Sequence, residues 1–179
     1  MTRDIKMLAL VGNPKAGSRT LDVAKEMSDQ LVKALSDKGL RAHCEFVDLA
    51  TFGAALLDWG SQEVADVLKR VTGADLLVVA SPTYKATYTG LLKLFLDRVQ
   101  QNELLGHVAI PVMVAATPLH GLAGETHLRP LLVELGAACP TRSFFVLESQ
   151  LAELPAIVAK WLATAEAALL ASLSGATHP

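Results

Sequence analysis

Residues 6–20, Lys6-Met7-Leu8-Ala9-Leu10-Val11-Gly12-Asn13-Pro14-Lys15-Ala16-Gly17-Ser18-Arg19-Thr20, form a short apolar run that ends in Gly12 and a compact polar loop. The loop places Asn13, Lys15, Ser18, Arg19 and Thr20 immediately ahead of a helical pattern. A first strand feeding a first helix through such a loop builds an anion site. Free N–H groups at the helix start point at the ligand, the helix dipole favours negative charge, and hydroxyls and a cation complete the cradle.

Two phosphate motifs come close and fail. The P-loop needs G-x-x-x-x-G-K-[ST]; Gly12 and Gly17 have its separation, but Ser18 and Arg19 stand where Lys and Ser/Thr belong. The dinucleotide fingerprint G-x-G-x-x-G fails because Pro14 occupies its second glycine. No later strand is expected to end in an acidic residue that would hold magnesium; Leu76–Ala80 runs into Ser81-Pro82 instead. Hydroxyls and one Lys/Arg pair without a magnesium partner suit a monophosphate.

Outward from this loop, strand-like and helix-like segments alternate. Strands are expected at Lys6–Val11, Ala42–Val47, Asp75–Ala80, Val108–Ala115 and Arg142–Leu147. Helices are expected at about Leu21–Lys38, stopped by Gly39, and at Ser61–Val71, capped by Ser61. Three more follow at about Thr89–Gln100, Glu125–Leu135 and Leu154–Leu173. Five strands alternating with five helices imply right-handed βαβ units: an α/β fold with a parallel, doubly wound sheet covered on both faces. The 179 residues are read as one domain, with a loose tail over Ser174–Pro179.

Composition sets the outer limits. Hydrophobic residues make up 51% of the chain, as expected of a globular core, and the net charge of −2 gives no electrostatic case for nucleic acid or anionic membrane. Cys44 and Cys139 form no CxxC pair, so no metal motif is read, and buried free thiols in a reducing compartment are expected. The charged start Met1-Thr2-Arg3-Asp4-Ile5-Lys6 precedes a run too short for a secretion signal, and no stretch is read as a membrane span. These readings place the protein in the cytoplasm.

In such sheets, ligands bind beyond the carboxyl ends of the strands at the topological switch point. The loop after the third strand reads Ser81-Pro82-Thr83-Tyr84-Lys85-Ala86-Thr87-Tyr88-Thr89-Gly90. Thr83, Tyr84 and Lys85 offer amides, a flat aromatic face and a cation, as a planar polar heterocycle requires. The loop after the fourth strand carries Ala116, Thr117 and small residues that let backbone approach a ligand. His120 is read as a rim or structural residue and Trp59 as core or interface.

With these residues in view, the chain resembles the NAD(P)H-dependent FMN reductases of flavodoxin-like fold, and among them the reductases that supply reduced FMN to alkanesulfonate monooxygenases. The segments that carry the likeness are Gly12–Thr20, Ser81–Asp97 and Ala116–Leu132, within a resemblance spanning about residues 6–150. The family's G-S-P-R-x-x-S-R-[ST] loop falls on Gly12, Asn13, Pro14, Lys15, Ser18, Arg19 and Thr20, which sets the FMN phosphate against Lys15, Ser18 and Thr20. Its P-x-Y-K segment falls on Pro82, Thr83, Tyr84 and Lys85, bordering the isoalloxazine, and its G-G-T segment on Ala115, Ala116 and Thr117. Asn13 replaces a serine, Lys15 an arginine and two alanines the glycines; the lysine loses the bidentate fork.

The resemblance implies hydride transfer from NADPH or NADH to FMN, with no acid–base residue and no metal. It further implies a homodimer or homotetramer and a flavin-dependent monooxygenase as recipient of reduced FMN. The alternatives are a reductase that keeps its FMN and reduces quinones, azo dyes or metal oxyanions, and a non-enzymatic flavodoxin-type electron carrier. Leu92, Phe95, Leu96 and Val99 form a stripe toward the sheet, while Leu91 and Leu94 lie off it, which predicts self-association through that helix. In the alkanesulfonate-type reductases the next helix carries an extra tyrosine that widens a turn; Thr126 stands there, so a helix irregularity is expected around Gly124–Leu128.

Overall fold

The computed structural model describes residues 4–175. Its centre is one five-stranded sheet in the order β2-β1-β3-β4-β5, parallel throughout: β1 Asp4–Val11, β2 Arg41–Asp48, β3 Leu76–Pro82, β4 Val108–Ala115 and β5 Phe144–Leu147. The chain moves outward from β1 to β2 and then crosses back to β3, so the crevice of the switch point opens between the loops after β1 and β3. This is the doubly wound parallel arrangement that the alternation of elements predicts, with the flavodoxin-like fold that the resemblance implies.

The period of two along the strands divides the core. Met7, Ala9 and Val11 of β1 pack with α1 (Arg19–Asp37) and α5 (Leu154–Gly175), while Leu8 and Leu10 pack with the opposite layer. That layer holds α2 (Gln62–Thr72), α3 (Gly90–Leu96) and α4 (Arg129–Glu134). Strands β3 and β4 are buried along their full length, which explains their unbroken apolar sequences. The caps follow the sequence: Ser61 accepts from the Val64 N–H at 3.4 Å, and Gly39 takes φ 76° just past α1.

Several elements differ from the sequence reading. The third helix is half the expected length. After Leu96 it tightens into three-residue turns, with Arg98 N–H to Phe95 O and Val99 N–H to Leu96 O both at 3.1 Å. The buried Arg98 guanidinium fixes this end by donating to Asp58 O at 3.1 Å and Trp59 O at 3.0 Å. Trp59 is not in the core: it is 68% exposed, with the Arg98 guanidinium 5.3 Å from its ring centre. Leu92, Phe95, Leu96 and Val99 are buried as expected, and Leu91 and Leu94 are half-buried against the same cluster. The cysteines are free but only half-buried, and burial pushes the Cys139 thiol up to about 11.

The segment Glu148–Ser174 is long and apolar enough, by length and composition alone, to cross a membrane, which the sequence reading did not flag. In the fold its Val158, Leu162, Ala165, Leu169 and Leu173 form a stripe buried in the sheet's core. The tail expected from residue 174 lies outside the described residues, except that Ser174 and Gly175 end α5.

Candidate functional site

The loop from Gly12 to Thr20 is shaped from within. Asn13 clamps it twice, its Nδ2 donating to Thr20 Oγ1 at 3.0 Å and its Oδ1 accepting the Lys15 N–H at 2.9 Å. Ser18 caps α1, its Oγ accepting from Leu21 N–H at 3.4 Å. Both hydroxyls are thus used as acceptors, and each retains its hydrogen to donate. Among the described residues the N–H groups of Ala16, Ser18, Arg19 and Thr20 have no hydrogen-bond partner, and Lys15 makes no ion pair. Amides, hydroxyls and one free cation therefore gather at the start of a 19-residue helix.

Two carboxylates modify this end, and the sequence reading missed both. Asp48 closes β2; its Oδ2 accepts the Gly17 N–H at 3.0 Å and its Oδ1 the Ala50 N–H at 3.2 Å. Glu148 follows β5 and holds Arg19 in an ion pair of 2.8 Å. Of the loop's two cations, Lys15 is open and Arg19 is engaged.

A single hydroxyl welds the first loop to the third-strand loop. Thr89 Oγ1 donates to Gly12 O and accepts from the Leu92 N–H at 3.1 Å, while the Thr89 N–H donates to Ser81 Oγ at 3.0 Å. Gly12 is required here, since a Cβ on it would stand 2.4 Å from Leu92 Cβ. Beyond Pro82, which is buried at the end of β3, the chain folds into a tight turn. Tyr84 and Thr87 exchange backbone bonds of 2.8 and 3.2 Å, and Lys85 and Ala86 take φ of 51° and 69° between them. Positive φ at both central residues is the type I′ pattern, which favours Asn and Gly. The turn presents Tyr84, 52% exposed, and Lys85 at the sheet's carboxyl end. Behind it the Thr83 N–H donates to Val114 O at 2.7 Å, and the Thr83 hydroxyl is buried with no partner among the described residues.

The fourth-strand loop lies alongside. Ala116 is exposed, Thr117 is half-buried with its hydroxyl accepting the Leu119 N–H at 3.4 Å, and His120 sits half-buried on the rim. The following helix begins as a π-helical turn, Gly124–Leu128, closed by the Arg129 N–H on Gly124 O. The irregularity therefore occurs where Thr126 stands, and the Thr126 hydroxyl donates to Leu122 O at 3.0 Å. A strut fastens this turn to the lead-in of β5. Glu125 accepts from Arg129 Nε at 2.6 Å and from the Ser143 N–H at 2.7 Å, and Arg129 also donates to the carbonyls of Cys139 and Thr141. The Arg129 guanidinium, with the Ser143 donors, holds the Glu125 carboxyl down to about 2 against the cost of its burial. Gly124 is required as well: a Cβ there would meet Ser143 Oγ at 2.6 Å.

The expected residues are thereby gathered at one end of the sheet, on three adjoining loops: Gly12, Asn13, Lys15, Ser18, Arg19 and Thr20; Pro82, Thr83, Tyr84 and Lys85; Ala116 and Thr117. A cleft of about 540 Å³ lies elsewhere: Lys6, His43, Lys69 and Arg70 line it at the amino end of the sheet, away from these loops. Among the described residues no cluster of three metal-ligating side chains occurs.

Residues 5–152 match the family described as NADPH-dependent FMN reductase. The chain is 34% identical over 134 residues to an FMN reductase (NADPH) of Pseudomonas aeruginosa, an alignment covering 73% of this chain and 70% of the relative. It is 35% identical over 138 residues to the NADH-dependent FMN reductase SfnF of Pseudomonas putida, with 73% and 70% covered. Among solved structures, the apo form of an NADH:FMN oxidoreductase (EmoB) superposes with a TM-score of 0.74 at 30% identity, covering 89% of each chain.

Proposed function

The chain belongs to the NADPH-dependent FMN reductase family, and we propose that within it this protein is a flavin-supplying enzyme that binds FMN across the three loops and releases it reduced. It is an oxidoreductase that reduces FMN with a nicotinamide nucleotide. When bound, the flavin supplies the hydride acceptor at N5 and the nicotinamide the donor at C4; the protein contributes binding, orientation and shielding.

The phosphate falls to the Gly12–Thr20 loop. Lys15 supplies the charge, Ser18 and Thr20 donate their remaining hydroxyl hydrogens, and the free amides of Ala16, Ser18, Arg19 and Thr20 complete the set. The isoalloxazine lies between the Tyr84–Lys85 turn and the backbone at Ala116–Thr117. The observation that carries this placement is the buried, unpartnered Thr83 hydroxyl, since a polar atom left dry inside a protein costs free energy unless a ligand satisfies it. The polar edge of a flavin ring offers that partner. No side chain needs to move a proton, because the hydride passes between the two cofactors.

The further parts of the proposal extend from the resemblance. Reduced FMN passes to a partner monooxygenase, the protein works as a homodimer or homotetramer in the cytoplasm, and residues 1–179 form one flavin-binding domain. Either nicotinamide can serve as donor, the two Pseudomonas relatives being one NADPH- and one NADH-dependent. Steady-state oxidation of NADH and NADPH, with FMN or with riboflavin as acceptor, tests the reading. A much lower KM for FMN at similar kcat is expected; equal KM values for the two flavins would remove the phosphate from the loop.

A further inference from the structure

We infer that Glu148 competes with the flavin phosphate for Arg19 and so sets how tightly FMN is held; the inference rests on the Gly12–Thr20 loop being the phosphate site. Arg19 is the first residue of α1, one position past the Ser18 cap, yet its guanidinium donates to Glu148 Oε2 at 2.8 Å. The partners are 129 residues apart in sequence, so the pairing is a product of the fold. It brings the carboxyl end of β5 beside the start of α1. A backbone anchor holds the carboxylate's segment, the Leu147 N–H donating to Gln150 Oε1 at 3.1 Å.

Charge at this end cancels. Two cations, Lys15 and Arg19, are matched by two carboxylates: Glu148 pairs with Arg19, and Asp48 occupies the Gly17 N–H. A site built to retain a dianion permanently would leave its guanidinium open to form the bidentate pair that phosphate prefers. Here the same guanidinium is shared with a carboxylate. The side chains are 65% and 41% exposed, and an ion pair in water is weak enough for a dianion to displace. Arg19 exchanges Glu148 for phosphate as FMN binds and returns to Glu148 as it leaves, with no backbone movement. Glu148 thereby lowers FMN affinity and favours a flavin that departs after reduction.

Dissociation constants for FMN and for riboflavin, measured by flavin fluorescence in the wild type, Glu148→Gln, Arg19→Ala and the double variant, test this. Glu148→Gln is expected to tighten FMN roughly three- to fivefold, the upper range for an exposed pair, leave riboflavin unchanged, and add nothing in the Arg19→Ala background. An unaltered FMN constant in Glu148→Gln, or a gain that survives the loss of Arg19, overturns the inference alone, provided wild type still prefers FMN over riboflavin. If wild type binds the two flavins equally, the phosphate reading itself fails and the inference falls with it.

Discussion

The two ends of the candidate site are built on opposite plans. At the phosphate end the loop's backbone is preset: Asn13 clamps the loop, Ser18 caps the helix and Thr89 pins Gly12. At the ring end the backbone is strained and one hydroxyl is unsatisfied, with Lys85 and Ala86 at positive φ and Thr83 Oγ1 buried without a partner among the described residues. On the proposed placement, the first end would supply binding that is equal before and during hydride transfer. The second would hold the reacting plane. Substitutions at the phosphate end should therefore act on affinity, and those at the ring end on affinity and stability with opposite signs.

The largest effect is expected for Lys15→Ala combined with Ser18→Ala. Losing charge-assisted and hydroxyl contacts should weaken FMN binding by about 2–4 kcal/mol, with kcat nearly kept at saturating FMN. Titration of flavin fluorescence and saturation kinetics measure the two quantities; a fall in kcat without a change in affinity would break the comparison. Thr83→Val comes next and carries the opposing signs. Removing the dry hydroxyl should raise the stability of the flavin-free protein by about 1 kcal/mol and weaken FMN by a similar amount. Urea unfolding without FMN reads the first, and loss of stability there would show that Thr83 already has a partner.

Ala86→Gly sharpens the strain at the ring end. Glycine accepts the left-handed φ without a Cβ clash, so unfolding should become harder by about 0.5–1 kcal/mol, read as a raised midpoint. An effect of the same order belongs to the Glu125–Arg129 strut beneath the fourth-strand loop, and it appears only at low pH. Glu125 titrates at about 2 when folded and near 4.5 when unfolded, so its contribution is complete above about pH 4.5 and fades as pH falls toward 2. Wild type should lose about 1 kcal/mol over that window through this group, a figure reduced for solvent screening, and Glu125→Gln should lose that part of the slope.

Much of the fold was legible because the patterns were local. The apolar runs of β3 and β4, the Ser61 cap and the Gly39 stop each announce themselves within a few residues. The end of α3 was not legible, because it depends on Arg98 reaching the carbonyls of Asp58 and Trp59 some 40 residues earlier. Likewise the anion loop was readable from its hydroxyls, and Asp48 could have been found by asking which residue closes β2. Glu148 could not, since its meaning arises only when β5 delivers it to the start of α1. The π-helical turn followed from the resemblance, while the strut that secures it joins residues 18 apart through side-chain bonds that periodicity does not record.

One measurement tests the central claim most directly. Protein loaded with one equivalent of FMN is reduced anaerobically with NADPH or NADH and passed at once through a desalting column under the same atmosphere. The account predicts reduced FMN in the small-molecule fraction and flavin-free protein in the void volume. Reduced flavin eluting one-to-one with the protein would contradict it and identify a reductase that keeps its FMN.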